Sequence, residues 1–171
     1  MKGELDILLE SMKKLPVDIP QIISDLGIKY KEEAMNDGES GALIYDTNEG
    51  EYTIIVNSNE FLQRRRFTAA HELAHYFFHG NLLEKKGGKL HRHSDNLFGE
   101  ASKNNDPFPF DESHEEEANQ IAANIIMPKK YLYKHYDKAR DNVAELAAKC
   151  DISEGAMKIQ LATLGLRGSA E

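Results

Sequence analysis

The sequence predicts an α+β fold with a small antiparallel sheet, and three observations support this. Two β-favouring runs, 42–45 and 52–56, flank a polar turn that contains glycine, which is the pattern of a hairpin. Two later segments repeat apolar residues at helical spacing, and one of them contains His71-Glu72-Leu73-Ala74-His75. The other begins with three glutamates. We therefore expect an HExxH helix and a Glu-bearing helix beside the sheet, followed by C-terminal helices.

The composition is that of an ordinary globular protein, with 40% hydrophobic and 29% charged residues over 171 positions. No apolar run approaches the roughly 18 residues that span a bilayer. Acidic residues interrupt the leucines of residues 1–10, which argues against a signal peptide. The lone Cys150 allows no internal disulfide, as is typical of a reducing compartment. We expect a cytoplasmic protein with Cys150 in its core.

The net charge of −8 argues against a nucleic-acid partner, because a phosphate-binding surface is basic. Arginines 64–66 form a local basic run, which we interpret as a solvated or salt-bridged helix start. The end of the chain, 143–166, hints at a helix-turn-helix. Residues 138–171 carry five basic and five acidic side chains, so a packing or partner-docking role is favoured over direct DNA binding.

The elements before the motif are short. Leucines at 5, 8 and 9 with Met12 predict one helix, and two prolines then separate it from a second at 22–26 that ends at Gly27. The hairpin follows, and its second strand leads directly into the motif helix. An edge of this sheet could hold an extended peptide through main-chain hydrogen bonds, or the sheet could simply support the helix.

The pentapeptide predicts half of a metal site. Helical residues four apart lie about 5–6 Å from each other at Cβ, so His71 and His75 can converge on one Zn²⁺. Glu72 lies beside them and can act on a metal-bound water without being a ligand. Such a motif also occurs by chance, but the apolar stripe of Ala70, Leu73, Ala74 and Phe77 places it on a buried helix face, which we expect to end at Gly80.

Catalytic zinc sites have three protein ligands, and the second helix offers the third. Glu117 shares the i, i+4, i+8 line with Ile121 and Ile125, which we expect to face the core. Glu116 falls on a more exposed face, and Glu115 is an outside alternative. On the simpler reading, these acids only favour the positive end of a helix. We predict Glu117 as the ligand.

Two boundaries follow from composition. Residues 81–113 are polar and rich in glycine and proline, so we expect a long mobile loop. We place a metal-binding domain at 1–130, with this loop inside it, and a C-terminal helical segment at 131–171 that packs on it.

Together these residues resemble the ImmA/IrrE family of metallopeptidases. The resemblance rests on 66–75 around the pentapeptide, on Glu117-Ala118-Asn119 with Ala122-Ala123, and on Met127-Pro128; it extends to 15–19 and 26–28. It implies a minimal zincin-like (thermolysin-like) core and cleavage of helix-turn-helix repressors of phage, mobile-element or stress-response genes. It makes His71, His75 and Glu117 the metal ligands and Glu72 the catalytic acid/base.

The sequence leaves the ion, the oxyanion-stabilising residue and the exact function open. The ion could be Mn²⁺ or another divalent ion instead of Zn²⁺. The residue that stabilises the oxyanion or contacts the substrate could be His79, Tyr76, Tyr30 or His114, although His79 could equally be a helix-end residue. The main alternative function is a non-catalytic metal-binding regulator of a repressor or antitoxin-like partner, which the presence of Glu72 disfavours.

Overall fold

The computed structural model describes residues 3–86, 89–93 and 110–168. Within these ranges the chain forms an α+β fold with four strands and seven helices, which confirms the α+β part of the predicted fold class. The strands are β1 (Lys29–Glu33), β2 (Glu39–Asp46), β3 (Glu51–Asn57) and β4 (Lys89–His93). The helices are α1 (Glu4–Ser11), α2 (Ile19–Asp25), α3 (Leu62–Lys86), α4 (Glu112–Ile126), α5 (Lys129–His135), α6 (Val143–Cys150) and α7 (Glu154–Thr163).

The sheet is mixed, which corrects the antiparallel prediction. Its order is β1-β3-β2-β4. The predicted hairpin is present as β2 and β3, with Leu43 opposite Ile54 in antiparallel register. Strand β1 pairs with β3 in parallel, and β4 pairs with β2 antiparallel. Both central strands contribute fully buried residues, including Leu43 and Ile54, so one face of the sheet lies on the core.

The two edge strands were not predicted from the sequence. Strand β1 reads Lys-Tyr-Lys-Glu-Glu and is exposed at four of its five positions, so it lacks the alternation by which a half-buried strand is recognised. Strand β4 lies inside the segment predicted to be a loop. The prediction of a loop over 81–113 is therefore wrong for 81–86, 89–93 and 112–113, which are helix or strand. Residues 110–111 agree with it, and 87–88 and 94–109 lie outside the described residues.

Helix α3 continues past Gly80 to Lys86, so the predicted helix end is wrong. A Cβ on Gly80 would lie 2.9 Å from the Tyr52 hydroxyl oxygen. The glycine is thus used for a close approach of β3 to the helix rather than for a turn. The Tyr52 hydroxyl donates a hydrogen bond to Glu84 Oε1 at 2.9 Å, one turn further along. Burial and this bond raise the pKa of Tyr52.

Helix α4 begins at Glu112, three residues before the predicted glutamate run. Asp111 precedes it, and its Oδ1 accepts hydrogen bonds from the Ser113 hydroxyl at 2.6 Å and from the backbone N–H groups of Ser113 and His114. This is the arrangement of a helix N-cap. The same donors lower the pKa of Asp111. The cap sets the start of α4 and therefore the position of Glu115 in its first turn.

The chain divides into two compact units. One is Ile19–Ala122, which contains the sheet, α2, α3 and the first part of α4; the other joins residues 1–18 to 123–171. In the second unit, Gln160 Nε2 donates to Asn124 Oδ1 at 3.0 Å. Cys150 is fully buried there, as predicted. Among the described helices, none has the length and hydrophobicity needed to cross a membrane.

We predict that Gly41→Ala destabilises the protein. An added Cβ would lie 2.4 Å from Thr68 Cγ2 on α3 and 2.9 Å from the Ile55 carbonyl oxygen on β3. Neither neighbour is a flexible chain end, so the substitution overpacks the contact between sheet and helix. Such changes cost about 1–3 kcal/mol. Urea denaturation followed by far-UV circular dichroism, with a chelator present, measures the loss.

Gly155→Ala in α7 is the matched control, because its nearest neighbour, the Ser153 hydroxyl, lies 3.9 Å away. That variant should unfold at the same urea concentration as the wild type or a higher one, since alanine favours a helix interior. A midpoint for Gly41→Ala that equals the wild-type value would contradict the packing argument.

Candidate metal centre

The two histidines of the pentapeptide converge in the interior. His71 and His75 are both fully buried on α3, and their Nε2 atoms lie 2.8 Å apart. Their rings meet edge to face with centroids 4.5 Å apart. Helical spacing places the side chains on one face, and the burial of Ala70 and Ala74 on the same helix confirms that this face is apolar.

Glu115 completes the group. Its carboxylate oxygens lie 3.2 Å from His75 Nε2 and 3.4 Å from His71 Nε2. One ligand atom from each of the three residues falls within 4.8 Å of the others. The side chain of Glu115 is 32% exposed, so the group is buried on the α3 side and partly open on the α4 side.

The expectation that Glu117 faces the core is wrong, and Glu115 is the glutamate that approaches both histidines. The side chain of Glu117 is 56% exposed, and its Oε2 lies 3.2 Å from His79 Nε2. The buried line of α4 passes instead through Ala118 and Ala122, which are three and seven residues after Glu115. The small alanines were the signal for this face. Ile125 is also buried, but Ile121, four residues after Glu117, is only half-buried.

Glu72 is fully buried on the same helix. Its Oε1 lies 3.7 Å from the position that a Cβ on Gly41 would take, and Thr68 Cγ2, one turn earlier, lies 2.4 Å from that position. The carboxylate is therefore directed toward β2, where the strand backbone leaves room for it. A carboxylate beside two metal-ligand candidates can act on a metal-bound water without being a ligand itself.

Aromatic rings cover the outer side of the histidines. Phe110 stacks on His75 with a centroid separation of 4.5 Å and an interplanar angle of 3°. It also contacts His79, whose ring meets His114 edge to face at 4.7 Å. Phe110 was missed in the sequence because it belongs to no periodic pattern; two phenylalanines alternate with prolines at 107–110.

The four residues considered for oxyanion or substrate contacts separate into two pairs. His79 and His114 lie beside the metal-ligand candidates, with His79 only 4% exposed. Tyr76 packs edge to face on Tyr52 at 4.9 Å. The Tyr30 hydroxyl donates to Glu32 Oε1 at 3.0 Å on the edge strand, and burial with this bond raises the pKa of Tyr30.

The predicted salt-bridged helix start is also present. Arg65 pairs with Glu32, the partner of Tyr30, and Arg64 Nε lies 3.5 Å from Glu60 Oε1. These arginines tie the beginning of α3 to β1 and to the turn before the helix.

The donor set fits a divalent ion of the zinc type. Two imidazole nitrogens and a carboxylate oxygen are the ligands of many catalytic zinc sites, in which a fourth position stays open. Donor atoms of a tetrahedral site stand about 3.3 Å apart when each lies about 2.0–2.1 Å from the ion, and the separations found for His71, His75 and Glu115 are 2.8, 3.2 and 3.4 Å.

Comparison with known proteins agrees with this chemistry. A family model described as the IrrE N-terminal-like domain, peptidase M78, matches residues 23–162. The matched range includes the sheet, the two helices that carry the candidate ligands, and most of the C-terminal helices. A search of curated proteins found no match. The predicted family is thereby confirmed: the chain belongs to the IrrE N-terminal-like, or ImmA/IrrE, family of metallopeptidases.

Proposed function

We propose that this protein is a zinc-dependent endopeptidase of the cytoplasm that cleaves a regulatory protein, a helix-turn-helix repressor of a phage or mobile element. The observation that carries the proposal is the convergence of His71, His75 and Glu115 around one point, with the buried Glu72 on the same helix as the histidines. Membership of a metallopeptidase family supports a protein as the substrate.

His71, His75 and Glu115 are the proposed ligands. When bound, a divalent ion acts as a Lewis acid toward water and toward a peptide carbonyl. The three side chains hold a single negative charge, because both imidazoles bind metals in their neutral form. The partial exposure of Glu115 leaves one side of the group accessible from α4, which is where a substrate would enter.

Glu72 is the proposed acid/base. Its position next to His71 in sequence places it about 100° around the helix from that ligand, so it lies near the group without joining it. A buried carboxylate in this place can take a proton from the attacking water and return it to the leaving amine. A purely structural metal site has no need of such a residue, and this disfavours the non-catalytic regulator.

The repressor substrate rests on the resemblance to the ImmA/IrrE family. The net charge of −8 agrees with a protein rather than a nucleic acid as the direct partner. We propose the repressor encoded beside this gene as the first substrate to test. We also propose that residues 131–171 form a separate helical segment, where a partner could dock.

We predict that Glu115→Gln removes tight metal binding. The wild-type chain should bind about one Zn²⁺, measured by competition with a chromophoric chelator and by elemental analysis. Loss of a direct ligand should weaken binding by at least about 100-fold, beyond the roughly 10–100-fold effect typical of residues that only support ligands.

Glu117→Gln and Glu116→Gln are the comparison variants, and both should bind Zn²⁺ nearly as tightly as the wild type does. A greater loss in Glu117→Gln than in Glu115→Gln would restore Glu117 as the third ligand. A wild-type protein that binds no divalent ion would overturn the proposed function as a whole.

We predict that Glu72→Gln abolishes proteolysis and leaves metal binding intact. The variant is incubated with the neighbouring repressor, and intact repressor is followed by gel electrophoresis and mass spectrometry. The cleavage rate should fall by about 10²–10⁴-fold, the usual contribution of a general acid/base.

Glu116→Gln removes the charge of an exposed carboxylate on α4. This variant should cleave the repressor at the wild-type rate. Equal cleavage by the Glu72 variant would eliminate the assigned role of Glu72. Tight association of repressor with metal-loaded wild type, with no cleavage under any condition, would favour the non-catalytic regulator.

A further inference from the structure

Beyond the three ligand candidates, two hydrogen-bond contacts lead from His75 through His79 to Glu117. His75 Nδ1 lies 2.9 Å from His79 Nδ1, and His79 Nε2 lies 3.2 Å from Glu117 Oε2. His79 is thus held between a proposed ligand, four residues earlier on α3, and a carboxylate on α4. His79 is only 4% exposed, so its contact with the buried His75 is formed out of water, whereas its contact with the exposed Glu117 is only partly buried.

The chemistry of Glu117 fixes the direction of both hydrogen bonds. A carboxylate only accepts hydrogen bonds, so Glu117 accepts from the Nε2–H of His79. A neutral imidazole has one N–H, so His79 Nδ1 then lacks a proton and accepts from the Nδ1–H of His75. His75 is left with an unprotonated Nε2, and that is the nitrogen that faces His71 and Glu115.

We propose that His79 and Glu117 are positioning residues for the metal ligand His75. They hold its ring in the orientation seen here and in the tautomer whose Nε2 lone pair is available to an ion. This inference rests on the proposed function, since it assigns a role relative to that metal site. It gives His79 a part different from an oxyanion donor, because both of its nitrogens are already engaged.

Two further contacts agree with this role. Phe110 stacks on His75 with parallel rings, and it also contacts His79. The stacking keeps the His75 ring parallel to the Phe110 ring. The hydrogen bond to His79 determines which edge of the His75 ring faces His71 and Glu115. Supporting residues of this type make a ligand more basic and set its tautomer, and their loss commonly lowers metal affinity about 10–100-fold.

Glu117 offers a clean test because its side chain is 56% exposed and its replacement leaves the core unchanged. We predict that Glu117→Ala lowers Zn²⁺ affinity by about tenfold, near the lower end of the range for supporting residues. Glu117→Gln should retain nearly the wild-type affinity, since its amide oxygen also accepts from His79. Affinity is measured by competition with a chromophoric chelator.

Glu116→Ala is the matched control: it removes a carboxylate from the adjacent exposed position and should leave the affinity unchanged. His79→Leu removes the acceptor for His75 and should lower affinity by more than Glu117→Ala does. Should that variant fold poorly, the Glu117 series still decides the question.

A second readout reports the tautomer directly. In the metal-free protein at about pH 8, where an ordinary histidine is neutral, two-bond nitrogen–proton correlation spectra of ¹⁵N-labelled histidine distinguish Nδ1–H from Nε2–H rings. His75 should be in the Nδ1–H form in the wild type and in Glu117→Gln, and should become a mixture of both forms in Glu117→Ala.

The outcomes separate this inference from the proposed function. Unchanged affinity and an unchanged His75 tautomer in Glu117→Ala, with a wild type that binds Zn²⁺, would overturn the positioning role alone. An equal loss in Glu117→Gln and Glu117→Ala would also overturn it, because charge and not hydrogen bonding would then be the cause. A wild type without metal affinity would remove the proposed function and this inference together.

Discussion

The burial of two imidazoles on one face of α3 is the constraint on which the rest of the structure depends. A buried polar group costs about 1–3 kcal/mol when it lacks a hydrogen-bond partner, and His71 and His75 are both at zero exposure. Their surroundings meet this cost with polar groups from two helices: His79 from α3 itself, and Glu115 from α4. The sheet supplies the support on the other side, where Gly41 allows β2 to approach the helix.

Much of this could be predicted from the sequence, because the informative residues are close together in the chain. The spacing of His71 and His75 defines a shared helix face, and the two β-favouring runs around a glycine turn define the hairpin. The alanines and leucine of α3 indicate burial on the same face. In each case the local sequence pattern agrees with the tertiary structure, and for this reason the structure could be predicted from the pattern.

What could not be predicted depends on contacts between distant segments. The choice among glutamates 115–117 depends on which face of α4 is buried, and the small Ala118 and Ala122 decide this against the larger Ile121. Strand β1 is recognisable only once β3 lies beside it, since its own residues are charged. The role of Gly80 inside α3 becomes clear only from the hydroxyl of Tyr52, which lies almost thirty residues earlier and packs where a Cβ would stand.

The proposed metal would cross-link two helices, because Glu115 lies in the first turn of α4 and both histidines lie on α3. His71 and Glu115 are more than forty residues apart in sequence, and an ion held by both would close that segment into a loop. Because the three ligands come together only in the folded chain, binding of the ion would stabilise the folded state relative to the unfolded one. The ion would thus hold together the two ends of the segment between the helices, in a protein whose single cysteine cannot form an internal disulfide.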